Sequence, residues 1–192
     1  MKIGVLAVQG AFIEHEHIIE KIGHEVVEIR QRKDLEGIDG IILPGGESTV
    51  QGQLLRKLDM LDTIKSLIAD GLPTLATCAG LILLAGHIDN DDSIHIGTLP
   101  VTVKRNAYGR QLGSFVRTAP MKGFDKFPMT FIRAPYISSI KDNVDVLAAV
   151  DDRIVAVQYN NQIGLAFHPE LSGDTRIHEY FISVSYTHLT LP

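Results

Sequence analysis

The sequence predicts an α/β fold in which a mostly parallel central sheet is covered by helices on both faces, with an antiparallel extension from the second half of the chain. Three observations carry this expectation. Apolar runs at 3–9, 40–43 and 73–77 are bounded by turn residues and followed by helix-like segments, the β-α-β-α order of a doubly covered sheet. Further on, 153–159 and 162–167 alternate and flank Asn160-Asn161, a pair tolerant of left-handed backbone, so they read as a hairpin. With 192 residues, 45% of them hydrophobic and 21% charged, the chain suits one well-filled core and carries no signature of disorder.

Taken in order, 3–9 is a strand of the kind buried on both faces, ending at Gln9-Gly10. Residues 11–23 carry Phe12, Ile18, Ile19 and Ile22 at mostly helical spacing and end on Gly23. A second strand at 25–30 and a polar connection at 34–39 lead to the short strand 40–43, which runs into Pro44-Gly45-Gly46-Glu47-Ser48-Thr49. The glycine pair lets backbone amides approach a ligand, and Ser48 or Thr49 is placed to cap a helix running through Leu54, Leu55 and Leu58. Neither a phosphate-binding P-loop nor a dinucleotide fingerprint is matched, and a plain strand-to-helix turn explains the motif equally well. Another helix at 61–70 ends on Gly71.

The stretch that follows organises the chain. Pro73-Thr74-Leu75-Ala76-Thr77 reads as a buried strand that stops at Cys78, with Ala79-Gly80 opening a helix at once. A strand-turn-helix elbow lifts its central side chain above the sheet and needs small neighbours. Backbone amides at the helix start suit a thiolate or an oxyanion. Cys78 is therefore the candidate nucleophile, although a small buried hydrophobe fits the window as well. In a parallel sheet ligands bind outside the carboxyl ends of the strands, so Gln9, Gly46 and Cys78 are expected to face one crevice.

Beyond residue 85 the pattern changes. Residues 87–95 are polar, 97–103 resume a strand, and 105–110 form a basic turn that reads more readily as a solvated loop than as an anion clamp. Strands are expected at 114–117, 130–132 and 144–150. The second strand of the hairpin leads to His168-Pro169-Glu170, where proline fixes the backbone between an imidazole and a carboxylate. A thiol needs a base, and the base needs a group to set its tautomer, roles that His168 and Glu170 can fill for Cys78. By itself, one of eight histidines placed before a final helix at 174–184 is as well explained as a capping residue. Residues 185–192 break the helical pattern with alternating Thr and Leu and read as an atypical tail, foreign or disordered, after a single domain at 1–184.

Composition excludes several classes. A net charge of −5 and a pI near 5.9, with basic residues scattered singly, leave no footprint for nucleic acid or an anionic membrane. The single cysteine rules out an internal disulfide, and metal-type Cys and His spacings are absent, which fits a reducing cytoplasm. No signal peptide is read at the start, and the longest apolar stretch is too short to span a membrane.

Together these motifs resemble the class I (triad) glutamine amidotransferases. The resemblance rests on Leu43-Pro44-Gly45-Gly46-Glu47-Ser48-Thr49, on Thr77-Cys78-Ala79-Gly80-Leu81-Ile82, and on Phe167-His168-Pro169-Glu170. Val8-Gln9-Gly10-Ala11 with Glu14-His15, Arg105-Asn106 with Gly109-Arg110-Gln111 and Ser114-Phe115, and Phe131-Ile132-Arg133-Ala134-Pro135 narrow it to the glutaminase subunits of pyridoxal 5′-phosphate synthase. It spans residue 3 to about residue 182.

The resemblance implies a three-layer class I glutaminase-like fold and hydrolysis of L-glutamine to glutamate and ammonia, with no metal or organic cofactor. The ammonia would pass to a synthase subunit of the PdxS type within a hetero-oligomer. Cys78 would be the nucleophile, His168 the base and Glu170 its orienting partner. Glutamine would be bound at Gly46, Glu47, Ser48, Arg105, Ile132 and Arg133, and the amides of Gly46 and Ala79 would form the oxyanion hole. Gln9 and Gly10 would lie near the partner interface. One departure is Ala76, where the elbow usually begins with glycine. The competing expectations are a glutaminase of another amidotransferase and a non-catalytic scaffold.

Overall fold

The computed structural model describes residues 1–106 and 113–190. The strands are β1 (Lys2–Leu6), β2 (Glu25–Ile29), β3 (Gly40–Leu43), β4 (Thr74–Thr77), β5 (Ala85–Ile88), β6 (Leu99–Lys104), β7 (Ser114–Met121), β8 (Phe124–Ile132), β9 (Tyr136–Ile140), β10 (Asp145–Val150), β11 (Arg153–Tyr159) and β12 (Gln162–Leu165). The helices are α1 (Phe12–Lys21), α2 (Ser48–Lys57), α3 (Leu61–Ala69), α4 (Ala79–Leu84) and α5 (Arg176–Thr190). One large sheet runs β2-β1-β3-β4-β12-β11-β9-β6-β5, with β10 added on β11. The pairs from β2 to β12 are parallel, and those joining β12, β11, β9 and β6 are antiparallel. This is the parallel half with an antiparallel extension that the sequence predicts.

Central strands show why their sequences are continuous apolar runs. Every residue of β3, β4 and β12 is buried, whereas β2, at the edge, buries only Ile29 fully. The first strand stops at Leu6 rather than at Gln9, because the chain leaves the sheet there and the Ala11 N–H donates to the Gly45 carbonyl at 3.0 Å. Asn160, at φ 50°, makes the expected two-residue turn between β11 and β12, which pair from Tyr159↔Gln162 to Ala156↔Leu165.

Four local expectations change. Glu47, rather than Ser48 or Thr49, caps α2, its carboxylate accepting the Thr49 N–H at 3.3 Å. The helix after the elbow is only six residues long, and the chain turns straight into β5 at Ala85, a strand the polar reading of 87–95 hid. Residues 114–117 and 130–132 are the ends of a longer ribbon, β7 paired with β8 from Ser114↔Ile132 to Met121↔Phe124. Pro120, Pro128 and the charges between them suit a ribbon standing apart from the main sheet, where unpaired edges tolerate proline. Finally, α5 continues past Val184 to Thr190, with Ser185 buried and its hydroxyl donating to the Phe181 carbonyl at 3.0 Å. The signature residues Gly109, Arg110 and Gln111 lie outside the described residues. Among the described residues no helix is long and apolar enough to cross a membrane.

Candidate active site

Cys78 stands where β4 gives way to α4, with φ 48° and ψ −102°, a conformation that costs a non-glycine residue of order 1–3 kcal/mol. Its surroundings hold it there. The Cys78 N–H donates to the Leu165 carbonyl at 2.8 Å, tying the elbow to the end of β12. Gly80 leaves no room for a side chain, since a Cβ would fall 2.0 Å from the Leu43 carbonyl oxygen. Ala76, the departure at the start of the elbow, sits fully buried in register with Leu43 and Gly164 and fits without one.

The strand that anchors the elbow also delivers the imidazole. Beyond Leu165 the chain continues to His168, whose N–H donates to the Thr130 carbonyl at 2.8 Å, so the end of the β8 ribbon fixes it from the other side. His168 Nδ1 lies 2.7 Å from Glu170 Oε1, both residues being almost wholly buried. Burial is the largest single influence on the ring and favours its neutral form. Hydrogen bonding to Cys78 and Glu170, reinforced by their charges, outweighs it and raises the His168 pKa to about 10. Gly45 packs against the same ring, where a Cβ would come within 2.2 Å of Cε1.

A cavity of about 340 Å³ opens over the sulfur. Gln9, Gly46, Glu47, Ser48, Cys78, Ala79, Ile82, Arg105, Asn106, Ile132 and Arg133 line it, so the residues singled out for glutamine gather around the candidate nucleophile. His168 and Glu170 stand behind Cys78 rather than in the lining, and Gly10 lies beneath, packed on Gly45. A larger cleft of about 400 Å³, along Gly86, Thr102 and Ser139, holds neither Cys78 nor His168.

Each wall has an identifiable support. Gln9 is tied to the glycine turn: its Oε1 accepts the Glu47 N–H at 2.9 Å, and its carbonyl accepts from Gln51 Nε2 at 3.0 Å. Opposite, the ribbon sets Ile132, whose carbonyl accepts from Cys78 Sγ at 3.8 Å, and Arg133, held at φ 44° with its N–H donating to the Gly113 carbonyl at 2.7 Å. Arg105 reaches the cavity while paired to Asp91 at 3.0 Å, which places the first residues of the basic stretch, Arg105 and Asn106, in the lining. Two guanidinium groups and one carboxylate around a small polar cavity suit a zwitterionic amino acid. No group of three His, Cys, Asp or Glu among the described residues is arranged for a metal ion.

His15, part of the Glu14-His15 signature, received no role from the sequence. It is fully buried on α1, with Nε2 3.4 Å from Glu170 Oε2 and Nδ1 2.8 Å from His178 Nε2. Besides that signature, its signal was a histidine on the buried face of a helix with Ile18 and Ile19.

Comparison with known proteins places the chain in a family. A family model described as the SNO glutamine amidotransferase family matches residues 5–186. The chain is 59% identical over 183 residues to the pyridoxal 5′-phosphate synthase subunit PdxT of Desulfitobacterium hafniense, covering 95% of this chain and 92% of that one. It is 52% identical over 188 residues to the protein of the same name from Haemophilus influenzae, covering 96% and 98%. A crystal structure of a glutamine amidotransferase aligns with a TM-score of 0.91 at 39% identity, over 95% of this chain and 98% of the other. A glutamine amidotransferase from Thermotoga maritima shares the fold, its crystal structure aligning with a TM-score of 0.64 at 17% identity over 100% of this chain and 86% of that one.

Proposed function

Because the chain belongs to the SNO glutamine amidotransferase family, we propose that it hydrolyses L-glutamine to L-glutamate and ammonia through a thioester on Cys78. The ammonia passes to a synthase subunit of the PdxS type in a cytoplasmic hetero-oligomer that makes pyridoxal 5′-phosphate. The observation that carries the reading is the buried His168–Glu170 pair, 2.7 Å apart, set behind a cysteine on a strained elbow at the floor of the arginine-lined cavity.

In this reading glutamine enters with its α-carboxylate toward Arg105 and Arg133 and its α-ammonium toward Glu47, which brings the side-chain amide to Cys78. The sulfur, its proton passed to His168, attacks the amide carbon, and the amides of Gly46 and Ala79 take the developing oxyanion. His168, protonated and oriented by Glu170, gives its proton to the departing nitrogen, so ammonia leaves and a γ-glutamyl thioester remains. A water then loses a proton to His168 and attacks the thioester, expelling the sulfur and releasing glutamate. No step requires a metal or an organic cofactor.

The decisive measurement is glutamine turnover with the synthase subunit present. Cys78→Ala is expected to abolish it while leaving the unfolding temperature near that of the wild type. Turnover retained in that variant would remove the thiol from the reaction.

A further inference from the structure

We propose that His15 is a positioning residue for this site: its Nε2–H, fixed in that tautomer by His178, holds the second oxygen of Glu170 and keeps the first on His168. The proposal rests on the glutaminase reading above and adds a residue to it.

The geometry is a buried chain of donors. Glu170 presents Oε1 to His168 at 2.7 Å, while its Oε2 is buried without a hydrogen-bond partner among the described residues and has His15 Nε2 3.4 Å away. Thr77 Oγ1, on the residue before Cys78, lies 3.3 Å from the same nitrogen. On the far side of the ring, Nδ1 meets His178 Nε2 at 2.8 Å, while His178 Nδ1 is buried without a partner among the described residues.

Charge and hydrogen-bond accounting then choose between two arrangements. Burial, followed by the neighbouring charges of His178 and His168, holds His15 well below the usual imidazole range. Burial likewise takes His178 down to about 4, against the opposing pull of Asp174. Each ring therefore carries one proton. Were it on Nδ1 of His15, the bare lone pair of Nε2 would face the Glu170 carboxylate, and His178 would be left with a buried Nδ1–H and no acceptor. With the proton on Nε2 of both rings, His178 donates to His15, His15 donates toward Glu170 and Thr77, and the group left over is a lone pair. A stranded acceptor is the smaller cost, so the second arrangement holds.

The consequence is directional. His15, on α1, His178, on α5, and the His168–Glu170 segment after β12 form one line along which every proton points toward the carboxylate. Glu170 is thereby kept an acceptor and cannot swing its Oε1 away from His168.

Histidine-labelled wild-type chain read by nitrogen NMR tests the tautomers without reference to turnover. Nε2–H on both His15 and His178 is expected, and Nδ1–H on His15 overturns the proposal. In glutamine turnover with the synthase subunit, His15→Leu is expected to lower kcat about tenfold at unchanged KM, the low end for a hydrogen bond to a charged group. His15→Gln, whose Nε2–H reaches the same place, should restore most of it. The His168 titration, near 10 in the wild type, should move down in the leucine variant alone. Equal kcat in both variants, or a loss confined to thermal stability, would overturn the role. An inactive wild type that nonetheless shows the expected tautomers would sink the glutaminase reading and leave the hold on Glu170 standing.

Discussion

His168 and its two buried neighbours pull the stability of the molecule in opposite directions with pH. His168 has a folded pKa raised from 6.5 to about 10, so its protonated form stabilises the fold fully below 6.5. That contribution is lost as pH rises through about 10. His15 and His178 are held neutral by burial, and unfolding lets them take up a proton, so they erode stability as pH falls from 6.5 toward about 4. Urea unfolding followed across pH should therefore give a maximum near 6.5 with an alkaline decline that His168→Gln flattens. A profile unchanged in that variant would show that the imidazolium is not held in the fold. The same residues mark what sequence could give at this scale: Cys78, His168 and Glu170 stand out by motif with a role attached, whereas His15 stands in a motif without a role until folding sets it near Glu170.

Among the elements, the β7–β8 ribbon does more than the sequence suggests. Its inner face carries Phe127, Met129 and Phe131, all fully buried, with Phe131 stacked on Phe115 at 4.7 Å and edge-on to Phe167 at 5.7 Å. Phe131 precedes Ile132 and Arg133, and Phe167 precedes His168, so one aromatic contact locates both the cavity wall and the imidazole. Phe131→Ala should cost about 3–5 kcal/mol of stability and raise the KM for glutamine, since the wall at Arg133 loses its backing. Denaturant unfolding with steady-state kinetics checks both, and an unaltered KM would separate the ribbon from substrate binding. The ribbon was only half legible because period and composition reveal strands that bury a face in the main sheet. Residues 118–128, rich in proline and charge, find their strand partners within the ribbon itself.

At the scale of the molecule, the cavity lies where the strands end and the chain must turn. Gln9 follows β1, Gly46 follows β3, Cys78 follows β4, and His168 comes after β12. An enzyme of this kind working alone would release ammonia to solvent, so turnover by the isolated chain is expected to be low and to rise several-fold when the synthase subunit is added. Equal rates with and without that subunit would count against partner-dependent activation.

The sequence by itself determined the α/β class, the elbow at Cys78, the His168-Pro169-Glu170 segment and the family, because continuous apolar runs, small residues at forced turns and short motifs are properties of local chain. Tertiary structure decided what those properties cannot encode. It set β12 beside β4, so that a residue ninety positions from the sulfur stands behind it. It made Arg105 a cavity wall through its pairing with Asp91, buried Ser185 within a longer α5, and brought α1 and α5 together near Glu170. The physical reason is common to all four: a contact between distant segments depends on how the sheet is ordered and which faces are covered, and no local pattern of residues carries that information.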